Sequence, residues 1–161
     1  MYLPRHFEQK DATVLAAAMH AHPLATLIVA TADGPTADLI PLEFHPGIGP
    51  HGTLRGHVAR ANPLWRASGG AALAVFQGPQ AYVSPNWYPS KREHGKVVPT
   101  WNYITVHAKG AINWIEDADW IRAHVGALSA AHEAGREQPW SINDAPASYI
   151  DSQVRAIVGF E

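Results

Sequence analysis

A strand that runs directly into a helix start carries the most usable chemistry of this chain. The stretch Leu54-Arg55-Gly56-His57-Val58-Ala59-Arg60-Ala61-Asn62-Pro63 sets an arginine at the junction, with free backbone N–H groups just beyond it. Amides at a helix start and a forked guanidinium both offer donors to an anion, so the pattern suits a phosphate. Gly56 lets a ligand approach the backbone closely, and His57 can hydrogen-bond a phosphate or a ring carbonyl. The plainer alternative is an ordinary strand–helix junction with a solvated arginine. A second region pairs Gly78-Pro79-Gln80-Ala81-Tyr82-Val83-Ser84-Pro85-Asn86-Trp87-Tyr88 with Val98-Pro99-Thr100-Trp101-Asn102-Tyr103. Each buried Trp N–H and Tyr O–H must find a partner. Such a cluster therefore fills a β-rich core or walls a pocket for a flat ligand with polar edges.

Self-contained catalytic engines are missing. There is no Gly-x-Ser-x-Gly, no P-loop and no Gly-x-Gly-x-x-Gly, and without cysteine no thiol nucleophile exists. Asp38 and Glu43 sit on one apolar strand and are expected to face outward. Redox chemistry would have to come from a bound cofactor. The chain holds 10 histidines, including His20 and His22 as a His-x-His pair, and His124 and His132 on one helix. Neither pair comes with carboxylates at ligand spacing, and His132-Glu133 lacks the second histidine of a zincin motif. Scattered, hydrogen-bonded histidines are the expectation, with no metal assigned.

Composition bounds the rest. At 161 residues, 47% hydrophobic and 16% charged, the chain reads as one well-packed domain spanning 1–161. A net charge of −2 leaves no electrostatic footprint for nucleic acid. The absence of cysteine excludes disulfides and thiolate metal sites. Met1-Tyr2-Leu3-Pro4-Arg5-His6 has no apolar stretch of the secretory kind, and no window reaches the roughly 18 apolar residues of a membrane span. A cytoplasmic location without membrane contact is the expectation.

These residues need elements to position them. A helix is predicted from Asp11 to about Ala21, capped by Asp11 and ended by His22-Pro23. Strands follow at Leu24 to Thr31 and Thr36 to Phe44 around the turn Ala32-Asp33-Gly34-Pro35, then at Thr53 to Val58 after a Gly/Pro loop. Asn62 and Pro63 start a short helix. Further strands are expected at Ala71 to Gln77, Gln80 to Ser84 and Tyr103 to Ile115. Glu116-Asp117-Ala118-Asp119 opens a helix whose apolar face is Trp120, Ile121, His124, Val125 and Leu128, with Gly135 as its stop. Another helix begins near Asp144-Ala145-Pro146, before a strand at Ala156 to Phe160. The fold class is mainly β with helices, a small barrel of six short strands with helical decoration.

The chain also carries a resemblance along nearly its whole length. Met1-Tyr2-Leu3-Pro4-x-His6-Phe7, His22-Pro23-Leu24-Ala25-Thr26-Leu27, Gly56-His57-Val58-Ala59-Arg60-Ala61-Asn62-Pro63, the Gly78 to Tyr88 motif and Val98 to Tyr103 resemble the PaiB family of FMN-binding negative transcriptional regulators. That resemblance implies an FMN-binding split β-barrel, a six-stranded Greek-key barrel, and a homodimer with flavin at the subunit interface. It implies that Arg60 holds the flavin phosphate, supported by His57, Val58 and Asn62. Backbone of the strand containing Leu39, Pro41 and Leu42 would line the isoalloxazine. Trp101, Asn102 and Tyr103, with Ser84 and Trp87, would form the opposite wall, contributed by the partner subunit. Ala59-Arg60-Ala61 stands where oxidase members of the wider superfamily read Ser-Arg-Lys, which implies weaker FMN retention. The competing readings are an FMN-dependent oxidoreductase on a small substrate and a haem-binding split barrel with His57 or His107 as axial ligand. A DNA or protein partner is not evident from the residues, because no basic stripe or helix-turn-helix is present.

Overall fold

The computed structural model describes residues 1–67 and 70–161. Helix α1 (Ala12–Ala21) starts where the Asp11 carboxylate accepts from the N–H groups of Thr13 and Val14, and it stops before Pro23. The hairpin β1 (Leu24–Thr31) and β2 (Gly34–Pro41) turns through Gly34 at φ 110°, a conformation that favours glycine. Next come β3 (Glu43–His45), β4 (Thr53–Ala59), α2 (Leu64–Ala67) and β5 (Gly70–Val83). The chain continues with α3 (Ser90–His94), β6 (Thr100–Ile112), β7 (Trp114–Ile115), α4 (Ala118–Glu133), α5 (Ala147–Arg155) and β8 (Ile157–Phe160).

The strands form two four-stranded antiparallel sheets, ordered β2-β1-β5-β6 and β3-β4-β8-β7. Their facing sides share one core. Ala25, Leu27 and Val29 of β1 alternate into it with Ala74 and Phe76 of β5, against Val58, Val158 and Phe160 of the second sheet. Met19 of α1 closes the end of this core. A second, smaller cluster of Ile121, Ile150 and Val154 joins α4 to α5, with Trp120 and Ile157 packed against it. Those two helices roof the far side of the second sheet. The far side of the first sheet has no such cover among the described elements. There Leu39, Thr26, Val75 and His107 form one row across the four strands, and Ala37, Ile28, Leu73 and Lys109 form the next.

Helix-decorated β architecture is thus present, the described residues forming eight strands against the six of the expected barrel and the added stretch Ala156 to Phe160. The predicted strand Thr36 to Phe44 breaks at Leu42, whose N–H turns to the Pro23 carbonyl at 2.9 Å. Tyr103 to Ile115 breaks at Asn113, which exchanges both backbone bonds with Glu161 at 2.8 and 3.0 Å. Conversely, the two strands expected on either side of Gly78-Pro79 are one continuous β5. Its register shifts between Gln77 and Gln80, a bulge that accommodates a proline with no N–H to give the ladder. Helix content is also higher than "mainly β" suggests, about 33% against about 37% strand.

Candidate functional site

At the end of β4 the predicted junction forms, and its arginine is heavily engaged. Arg60 donates from Nε to the Arg155 carbonyl at 2.9 Å and from Nη2 to the Ile157 carbonyl at 3.2 Å. Its Nη1 lies 2.5 Å from Glu116 Oε2, and the guanidinium stands 5.6 Å from the Trp65 ring centre. Arg60 therefore clamps the α5–β8 connection to the end of β4. About a third of its side chain stays exposed (34%), so a face remains open to a ligand. Asn62 works in two directions: its Oδ1 caps the Leu64 N–H at 2.9 Å, and its Nδ2 donates to Asp38 Oδ1 at 3.1 Å. That second bond ties β2 to the junction.

The other sequence-predicted residues separate into core and surface. Leu42, Gly56 and Val58 face the shared core, and a Cβ on Gly56 would lie 2.7 Å from both Leu42 Cδ2 and Phe160 Cζ. Gly56 is small for packing. Leu39 is exposed and so is Pro41, both on β2, a sheet edge whose outer backbone row has no strand partner among the described residues. Trp101, Tyr103 and His107 share the bare face of the first sheet and line a cleft of about 580 Å³ with Met1, Val75 and Gln77. Trp101 Nε1 donates to Gln80 Oε1 at 2.6 Å. Asn102 pairs with Ala81 in the ladder, and Ser84 Oγ caps the N–H of Asn86, leaving Trp87 exposed. A larger cleft of about 690 Å³ opens between α1, β6 and the loop before β4. Of the residues assigned to flavin, only Leu42 reaches it.

His57 turns away from all of these, under α4. Its Nδ1 lies 3.1 Å from Nε2 of His124, and His124 Nδ1 lies 2.9 Å from Glu43 Oε2. This corrects the outward placement of Glu43: the carboxylate is half-buried against a histidine that is 4% exposed. Burial holds the His57 imidazole below its ordinary range. His124 is pushed down to about 4, first by burial and then by the positive charge of His57, Arg55 and His45. Burial raises Glu43 against the pull of His45, Arg55, His132 and His20. His107 is also lowered, by burial first and then by the N-terminal ammonium and Lys109. The signal for His124 is present in the sequence, as a histidine inside an apolar helix face. Its partner Glu43 carries none, because a carboxylate on a strand ordinarily faces water.

Two four-stranded sheets sharing one core, with helices over one of them, make the split-barrel fold. The fold is shared with the flavocytochrome Anf3 of Azotobacter vinelandii, at a TM-score of 0.68 and 13% identity over 99% of this chain and 67% of that one. The FAD and heme binding protein of Mycobacterium smegmatis superposes with a TM-score of 0.63 and 18% identity, over 94% of this chain and 65% of that one. A family model described as "Putative FMN-binding domain" matches residues 1–161, and the chain belongs to that FMN-binding family. It is 31% identical over 163 aligned positions to Protease synthase and sporulation protein PAI 2 of Bacillus subtilis, covering all of this chain and 75% of that protein. An uncharacterized protein of Saccharomyces cerevisiae is 30% identical over 86% of this chain and 94% of its own length. The PaiB resemblance is thereby shown, and FMN is the cofactor that the family assigns.

The residues present fit such a group. A flavin ring is flat and apolar with one polar edge, and β2 offers the open backbone row of a sheet edge beside exposed Leu39 and Pro41. Its phosphate calls for a cation, and the partly exposed Arg60 would serve it by exchanging the Glu116 carboxylate, which holds Nη1 at 2.5 Å, for the phosphate.

Proposed function

We propose that the chain is a flavin-binding regulator of the PaiB kind, cytoplasmic, working as a homodimer with FMN between the subunits. The observation that carries this reading is the bare outer face of the first sheet. Leu24 and Leu39 are exposed there, Ile28, Leu73 and Val75 are half-buried, and Trp101 and Tyr103 flank it at 55% and 61% exposure. An antiparallel sheet with water on one side alternates apolar and polar residues, whereas the outer face here is largely apolar, broken by Thr26, Gln77, Thr105, His107 and Lys109. A patch of that kind marks an interface. A second copy laid on the face brings its own Trp101, Asn102 and Tyr103, with Ser84 and Trp87, towards the Leu39–Pro41 edge. Arg60 and Asn62 then hold the phosphate from the first copy, with His57 and Val58 supporting the strand that carries them.

Titration of the purified chain with FMN, followed by absorbance and sedimentation, tests this reading. Saturable flavin binding by a dimer is expected, and a monomer that binds no FMN overturns it. Arg60→Ala should weaken FMN about tenfold, the value of one charge-assisted hydrogen bond; an unchanged affinity refutes the phosphate role. Regulation is expected to run through a protein partner, given a net charge of −2. A specific DNA complex that survives about 0.2 M salt in a gel shift would assign direct repression instead.

The cleft bounded by Trp101, Tyr103, Gln77 and Met1 favours a second reading, an FMN-dependent oxidoreductase on a small substrate. Anaerobic bleaching of the bound flavin by a nicotinamide cofactor supports it, and no bleaching with either nicotinamide counts against it. No described helix is long and apolar enough to cross a membrane.

A further inference from the structure

The polar chain beneath α4 has no place in the flavin reading. Among the described residues, three buried side-chain atoms lack a regular hydrogen bond: Glu43 Oε2, His45 Nε2 and His124 Nδ1. All three belong to β3 and α4. Glu43 Oε2 and His124 Nδ1 face each other, close but off the line of a regular bond, and buried polar atoms short of a good bond are expensive, so the cluster points to a use. No three donors among the described residues converge to hold a metal ion. What does converge is a row: Glu43 Oε2 to His124 Nδ1 at 2.9 Å, then His124 Nε2 to His57 Nδ1 at 3.1 Å. Trp120 stacks on the His124 ring at 5.3 Å between centres and 24° between planes, which fixes its orientation.

We propose that Glu43, His124 and His57 form a proton relay, with Nε2 of His57 as its outer end. Each ring nitrogen within the row has one neighbour, so one proton placement determines the others. With Glu43 ionised, its oxygen accepts from His124 Nδ1–H. His124 Nε2 must then accept, from His57 Nδ1–H, and His57 Nε2 is left as a bare lone pair. When a proton arrives at that Nε2, the Nδ1 proton of His57 passes to His124 Nε2. The Nδ1 proton of His124 then passes to the Glu43 carboxylate. Three bonds to hydrogen form and three break, counting the bond in the outside donor. Both rings end neutral with their protons on Nε2, and the incoming charge is spent in neutralising a carboxylate.

The surroundings suit that end state. Burial disfavours charged imidazole in both rings and favours the protonated carboxyl. The charges facing the row are Arg55 and His45, with His132 of α4 and His20 of α1 towards Glu43. Arg55 is itself paired with Glu161 at 2.7 Å, which limits its hold on Glu43. His57 is half-buried and His124 is buried, so the histidine at the bare-Nε2 end is the one nearer solvent.

Nitrogen NMR of the 15N-histidine-labelled chain without flavin reads the tautomers directly, and failure to bind FMN would leave it untouched. At pH 7 to 8 both His57 and His124 are expected as the Nδ1–H tautomer, the less common form in water. Any other pair of tautomers overturns the proposal. On acidification the two rings and the Glu43 carboxyl carbon should change in one shared transition, and separate midpoints overturn it. In Glu43→Gln the shared transition should vanish and the Nδ1–H excess on His57 should fall. An unchanged His57 there also overturns it. Should that variant fail to fold, the wild-type tautomers alone still decide.

Discussion

The two sheets have equally apolar inner faces and very different outer ones. The second sheet is roofed by α4 and α5 and hides Glu43, His57 and His124 beneath Trp120. The first sheet is bare, and Leu39 stands 69% exposed on its edge strand. A roof supplied by the chain itself can be specific enough to bury a polar row. A face without one stays greasy and plain, as a surface awaiting a second molecule should. In the proposed dimer, stability belongs to the first arrangement and assembly to the second.

That division can be broken by crossing two substitutions. Ile121 is 1% exposed at the centre of the α4–α5 cluster. Ile121→Ala should lose about 3 kcal/mol of folding stability in urea melts, from lost burial and the cavity left behind, and leave the dimer constant alone. Leu39→Lys should do the reverse. Removing one apolar contact from each copy weakens the dimer about 100-fold, roughly 2.7 kcal/mol, with the melt shifted by less than about 0.5 kcal/mol. If Leu39→Lys unfolds the chain and leaves the dimer intact, the two faces have been assigned the wrong way round.

Acid should find the roofed face first. His124 titrates at about 4 in the fold, against about 6.5 when unfolded. Below 6.5 the unfolded chain binds more protons than the native one, so stability falls as pH drops towards 4. His57, also lowered, acts with the same sign. Glu43 is raised and acts oppositely, adding stability as pH falls through the window between its ordinary and its raised value. From pH 7 to pH 5 the His124 shift alone should cost about 2 kcal/mol. His124→Phe should flatten that slope. A wild-type stability that holds level over this range would mean the row is wetter than its burial indicates.

Local patterns in the sequence carried most of the fold and only one side of the site. Asp11, Pro23 and Asn62 mark element ends through their own backbone chemistry, so α1 and the β4–α2 junction are readable where they occur. Arg60 is readable as a junction arginine, but its partners Glu116, Arg155 and Ile157 lie 56 or more positions away in sequence. Nothing local distinguishes a clamp from a phosphate ligand. Glu43 misleads for the same reason. Alternation along a strand predicts which side a residue faces, yet whether that side meets water depends on α4, some 75 residues further on. The break at Leu42 likewise follows from a bond to the Pro23 carbonyl that no local pattern announces.

The finest test of the contrast uses two glycines. A Cβ on Gly159, beneath the roof, would lie 2.3 Å from Trp120 Cζ3 and 2.9 Å from its Cε3. The indole cannot retreat freely, because it stacks on His124. Gly159→Ala should therefore cost about 1–2 kcal/mol by overpacking, and it should disturb the His124 resonances as the ring is displaced. Gly110 of β6 lies on the inward side of its strand with Val106, Ala108 and Ile112, beside the cleft of about 690 Å³; nothing is within 4 Å of where its Cβ would fall, and its φ is not positive. Gly110→Ala should be neutral or stabilise by up to about 0.5 kcal/mol, because alanine narrows the unfolded ensemble. Equal penalties at the two positions would mean that the cleft beside Gly110 is packed as tightly as the roofed face beside Gly159.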